Sequence, residues 1–141
     1  MSISQQTREI VKSTTPLLKE KGEDVTTRMY QILFSKYPET EALFKNANNQ
    51  PAKLATAITA YAANIDKLEN LGDAVEIMAQ RHISAVVKPE HYPMVADALL
   101  TAMTEVLGAD VVTDEVFSAW GEAYNFLAGI LKKREKELYD A

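Results

Sequence analysis

Two histidines, six tyrosines and no cysteine set the range of chemistry open to this 141-residue chain. His82 continues a helical face that begins with Val75, Met78 and Ala79, so its imidazole should point inward among apolar neighbours. A neutral imidazole held there can ligate a metal, or it can be a hydrogen-bonded core residue. The residue alone leaves both readings open, and the second is the commoner fate. His91 falls in the first turn after Pro89, beside Tyr92, where exposure is expected. Tyr30 lies next to the apolar stripe Val25, Met29, Ile32 and Leu33, so its ring can be buried while its hydroxyl then needs a partner. A further position breaks its own pattern. The stripe Phe117, Trp120, Tyr124, Leu127, Leu131 continues to Glu135 and then Leu138, which puts a carboxylate where the helical period predicts an apolar side chain. Glu135 also belongs to the charged run Lys132 to Glu137, which by composition alone would be solvated.

Other chemistries lack their residues. Without cysteine there is no disulfide framework, thiolate zinc site or iron–sulfur cluster, and any metal must be held by His, Met, Tyr or carboxylate. Met29, Met78 and Met103 sit on apolar stripes and read as core fillers. No phosphate-binding glycine loop, Gly-x-Gly-x-x-Gly, Gly-x-Ser-x-Gly or His-Glu-x-x-His occurs. The acidic pairs Glu39 with Glu41 and Asp114 with Glu115 fall at helix starts, where they favour the helix dipole. With 15 Lys plus Arg against 20 Asp plus Glu the chain is acidic, which argues against nucleic acid as a partner. No apolar run reaches the length of a membrane span. The polar start Met-Ser-Ile-Ser-Gln-Gln has no basic-then-apolar leader. A cytoplasmic location is the expectation.

These residues must be positioned by helices, because apolar side chains recur at three and four and only five Gly and five Pro interrupt them. The first helix should open near Ser4, bend at Pro16 and end at Gly22. The second should run from about Asp24 to Ser35. Pro38 should start a short helix ending near Phe44, and Lys45 to Asn49 reads as a loop. Pro51 suits the first turn of a helix reaching Leu68, whose many alanines (Ala55, Ala57, Ala60, Ala62, Ala63) let something approach closely. A helix after Gly72 carries His82 and must stop before Pro89. Pro89 starts the next, which ends at Gly108, and the last runs from about Thr113 to Tyr139. No strand is expected.

Taken in order, Tyr30, Pro38 to Phe44, Gln50-Pro51-x-x-Leu54 and His82 resemble the bacterial globins, most closely the single-domain, flavohaemoglobin-like type. Thr15-Pro16-Leu17-Leu18, Ala60 to Ile65, Lys88 to Pro93 and Ala119 to Tyr124 are similar to that family in order and spacing. The resemblance covers essentially the whole chain. It implies an all-α globin fold, one domain over 1–141, packed around a non-covalent haem b. His82 would then be the proximal iron ligand, Tyr30 and Gln50 the distal polar pair, Leu54 an apolar wall above the iron, and Phe44 a residue packed on the porphyrin. Tyr92 and Glu135 would form a hydrogen-bonded group behind His82, which accounts for the anomalous carboxylate. Oxygen, nitric oxide and carbon monoxide are the implied ligands.

The resemblance supports two activities: nitric oxide dioxygenation to nitrate, or oxygen storage, delivery or sensing without turnover. The sequence ends after the last globin helix, so turnover is expected to need an external reductase. The Gly108 to Thr113 connection is slightly longer than usual in the family and should alter only a loop.

Overall fold

The computed structural model describes residues 3–44 and 49–141. Among the described residues six α-helices follow in order: α1 Gln5–Ser13, α2 Thr15–Lys36, α3 Gln50–Ala63, α4 Gly72–Ala85, α5 His91–Leu107 and α6 Asp114–Asp140. Two 3₁₀ segments, Pro38–Phe44 and Leu68–Leu71, precede α3 and α4. No strand occurs among the described residues. Ser4 caps α1 by accepting from the Thr7 N–H, and Thr113 caps α6 by accepting from the Val116 N–H.

Several expectations change, among them the start of α5, which falls at His91 with Pro89 in the turn before it. Gly22 does not end a helix: α2 runs through it, and a Cβ there would stand 3.4 Å from Ala55 Cβ and 3.7 Å from Thr59 Oγ1. The glycine and the slim alanine face of α3 let these helices approach closely. The chain instead breaks at Thr14, and Pro16 sits in the first turn of α2, where its missing N–H costs nothing. The fourth predicted helix stops at Ala63, because the Asn64 side chain and backbone N–H both bond the Ala60 carbonyl and close its end. Phe117 is 44% exposed; the inward face of α6 reaches Trp120 from Val116, one full turn back, and not from Phe117. His91 is half-buried and accepts from the Lys88 N–H at 2.9 Å, locking the turn into α5. Of the predicted loop, Lys45 to Asn48 lie outside the described residues.

Helix α2 packs on α3 and α5, while α1 and α4 pack on α6. The apolar interior accordingly forms two clusters. The larger includes Val25, Met29, Leu33, Met103 and Trp120, with Leu54 and Ile58 of α3 against it. The smaller is Ala79, Tyr92, Ala128 and Leu131, with Val75 and Met78 of α4 against it. Helices α3 and α4 therefore belong to different clusters, and their contact with each other is at most marginal. Leu54, Ile58, Val75 and Met78 all stay only partly buried. Among the described residues, no helix is long and apolar enough to cross a membrane.

Candidate functional site

Glu135 follows Ala128 and Leu131 on the buried face of α6, so the helical period carries it inward, and it is 4% exposed. A carboxylate stays in such a place only if its oxygens are satisfied. The Tyr92 hydroxyl donates to both of them at 2.7 Å, and His82 Nδ1 lies 2.7 Å from Oε2. Nδ1 also lies 3.0 Å from the Tyr92 oxygen. A carboxylate only accepts, so the network assigns the proton of the neutral ring to Nδ1 and leaves the lone pair on Nε2. No hydrogen bond engages Nε2 among the described residues, and the His82 side chain keeps 31% of its surface exposed.

The surrounding sequence makes this cluster possible. Ala79, on the face of α4 below His82, is completely buried and small enough to let α6 come close. Tyr124 donates to the Tyr92 carbonyl at 3.0 Å and pins the first turn of α5. Burial, then the adjoining Glu135 carboxylate, push the Tyr92 phenol far above its usual range, so it remains a neutral donor.

The other polar pair lies on α2 and α3. Tyr30, 8% exposed, meets the Phe44 ring edge-on at 5.1 Å and Phe34 at 5.7 Å. With Phe34, Phe44, Asn49, Gln50 and Pro51 it lines a cleft of about 280 Å³. Thr26 fixes the start of α3 against α2 by donating to the Pro51 carbonyl at 2.6 Å. Burial raises the Tyr30 phenol well above its usual range, so the hydroxyl keeps its proton, and no protein acceptor takes it among the described residues. Leu54 stands one turn along α3, against the larger cluster.

The structure thus brings His82, Tyr92 and Glu135 into one hydrogen-bonded group, and Tyr30, Phe44 and Gln50 onto one cleft. A second, almost wholly apolar recess of about 160 Å³ is lined by Tyr61, Leu68, Leu71, Gly72, Val75, Leu127 and Ile130.

Residues 27–131 match the family model described as Globin. An uncharacterized globin-like protein of Aquifex aeolicus is 52% identical over 138 residues, covering 97% of each chain. The chain belongs to the globin family. The flavohemoprotein of Pseudomonas putida is 45% identical to this globin over 136 residues, which is 94% of the chain but 35% of that protein. The globin thus spans about a third of that relative. Among solved structures, an engineered carbene transferase from Rhodothermus marinus, made from a protein named as a nitric oxide dioxygenase, superposes with a TM-score of 0.95 at 40% identity. The match covers 99% of this chain and 97% of that one. A Campylobacter jejuni globin follows at TM-score 0.88 and 35% identity, covering 98% and 100%.

Sequence reading did not single out Leu71 or the apolar recess of this globin. The signal was present: Leu68, Leu71 and Val75 share a helical spacing across the 3₁₀ segment into α4. It was hidden by extending the preceding helix through Leu68.

Proposed function

We propose that this single globin domain, residues 1–141, holds one haem b, reversibly binds oxygen, and dioxygenates nitric oxide to nitrate with an electron from a separate reductase. The observation that carries the reading is the group behind His82: an imidazole held at Nδ1 by buried Glu135 and Tyr92, with Nε2 unbonded among the described residues. Such a ring is an oriented, electron-rich ligand with one open nitrogen. A single imidazole suits a metal that arrives with most of its ligands in place, and haem iron is that metal.

The fold fits a flat apolar group. Leu54 and Ile58 on α3, and Val75 and Met78 on α4, are half-buried apolar side chains that belong to separate clusters. A group lying between these helices would cover both sets. Bound there, haem b supplies the iron and the redox chemistry of oxygen, nitric oxide and carbon monoxide. His82 Nε2 would hold it, Phe44 would pack on the porphyrin and Leu54 would wall the distal side. The Tyr30 hydroxyl, neutral and without a protein acceptor among the described residues, can donate to a ligand that carries partial negative charge. Gln50, half-buried on the same cleft, offers a second donor. Glu135 raises the donor strength of His82 by accepting a hydrogen bond from its Nδ1–H, which favours oxidative chemistry over simple storage.

One nitric oxide, one dioxygen and one electron balance to one nitrate, so turnover needs the reductase. That partner is supported by the flavohemoprotein relatives, and the cytoplasmic location rests on the sequence alone. The acidic balance of the chain argues against nucleic acid. The second reading, oxygen storage, delivery or sensing without turnover, needs only the cleft of Tyr30 and Gln50 to stabilise a bound ligand.

The test has two stages. Haem-loaded protein should show a strong Soret band that moves on reduction and again with carbon monoxide, and that is lost or altered in His82→Ala. The reduced protein in oxygenated buffer is then mixed with nitric oxide in a stopped-flow instrument. Rapid stoichiometric nitrate supports the dioxygenase, and a slow or nitrate-free reaction leaves the binding protein as the better account.

A further inference from the structure

Helix α4 carries the candidate iron ligand but has little apolar hold on the fold, since Ala79 is its one fully buried residue. Its main neighbour is α6. Besides Glu135 and the small apolar cluster around Ala79, α6 makes two polar contacts with α4 and its cap, one on each side of His82. Toward the start of α4, the Arg134 guanidinium forks onto the Glu76 carboxylate, Nε to Oε1 at 2.6 Å and Nη2 to Oε2 at 3.3 Å. Just past its end, the Tyr139 hydroxyl donates to the Val87 carbonyl at 2.9 Å, and Lys88 Nζ stands 5.8 Å from the centre of the same ring.

The second contact lies on a strained cap. Val86 has φ 63° and ψ 43°, the left-handed region, where a β-branched residue is a genuine outlier and glycine is the usual choice. Its side chain is 53% exposed, so core packing does not explain why this conformation holds. The conformation turns the Val87 N–H back onto the His82 carbonyl at 2.9 Å. Tyr139 therefore grips the residue whose N–H closes the turn bearing His82. Were that cap to relax, the last turn of α4 would loosen and the imidazole would swing relative to Glu135, which is anchored separately by Tyr92.

We propose that Arg134 and Tyr139 are positioning residues that clamp α4 to α6 on both sides of His82, with Tyr139 restraining the strained cap at Val86 so that Nδ1 stays in line with Glu135. This rests on His82 being the iron ligand. The Arg134 and Glu76 side chains keep 39% and 43% of their surface exposed, so their pair sets register more than it adds stability. Tyr139 acts through a backbone carbonyl and carries the larger effect.

The experiment uses the full, haem-loaded ferrous protein and reads the iron–histidine stretching band by resonance Raman, alongside the midpoint potential and the rate of haem loss. Tyr139→Phe should broaden the band and move it to lower wavenumber. It should also speed haem loss about tenfold, the low end for removing an outer-shell support. Arg134→Ala should do the same to a smaller degree. Lys136→Ala, which breaks only the exposed pair with Asp140 on the same helix, should leave the band unmoved. Val86→Gly introduced into the Tyr139→Phe variant should restore it, because glycine holds the left-handed cap without restraint. If Tyr139→Phe lowers thermal stability but leaves band and potential unchanged, the clamp is merely structural and the proposal is overturned. A parent protein with no iron–histidine band would instead take down the ligand reading itself.

Discussion

Tyr92→Phe removes one oxygen from the centre of the buried network and preserves the shape of the ring. The hydroxyl donates at 2.7 Å to both oxygens of Glu135, and the two residues are 7% and 4% exposed. Water has little room to replace it. Because burial keeps the phenol neutral, the bond lost is a neutral donor on a charged acceptor, worth about 1.5–3 kcal/mol. Glu135 is not orphaned, since His82 Nδ1 stays at 2.7 Å, so the full penalty of a stranded buried charge does not apply. A loss of about 2 kcal/mol is the expected outcome, which for a chain of this size lowers the melting temperature by roughly 6–10 °C. Thermal unfolding followed by circular dichroism measures it. Adding Glu135→Gln completes a double-mutant cycle, in which the pair should couple by about 1–2 kcal/mol. A Tyr92→Phe protein melting within a degree of the parent, or a coupling indistinguishable from zero, would refute the reasoning that this bond holds the carboxylate in place.

Three further outcomes can be checked. Glu135→Gln in the haem-loaded protein should lower the iron–histidine stretching frequency and slow nitrate formation, while an unchanged frequency would show that the carboxylate does not tune His82. Gly129 lies inside α6 with nothing within 4 Å of an added Cβ, whereas Gly108 sits at φ 90°. Gly129→Ala should therefore stabilise by about 0.5–1 kcal/mol and Gly108→Ala should destabilise by at least about 1 kcal/mol, both measured by urea unfolding. Burial raises the phenols of Tyr30, Tyr61, Tyr92 and Tyr124 above the ordinary value of 10.0. The native state thus favours their neutral forms, and this stability is fully present below about pH 10 and lost as pH rises beyond it. Absorbance at 295 nm should show Tyr37 and Tyr139 ionising first and the four buried phenols only with alkaline unfolding; all six ionising while the circular dichroism stays native would contradict their burial.

Local pattern was enough to establish that the chain is helical, that Ser4 and Thr113 start helices, and that Gly108 and the turn before Pro89 end them. The odd carboxylate at 135 was legible as well. Periodicity and capping act over one or two turns, so one sequence displays them in full. Gly22 shows where such reading stops. Its residue type is compatible with a helix end or with a close crossing, and only the approach of Ala55 decides between them. Asn64, by bonding back to Ala60, likewise cut short a helix whose apolar period ran on to Leu68. That His82, Tyr92 and Glu135 share a group was implied by family resemblance and by nothing in the spacing, because they come from three helices. The grip of Tyr139 on Val87 left no trace in the sequence at all, since an exposed tyrosine near a chain end has no periodic signature. Most inward faces, that of Glu135 included, follow from neighbours a few residues away, although Phe117 shows that a face can start one residue off its apparent period. Which inward groups meet depended on how α6 lies against α4 and α5, and that was settled only when the whole chain packed.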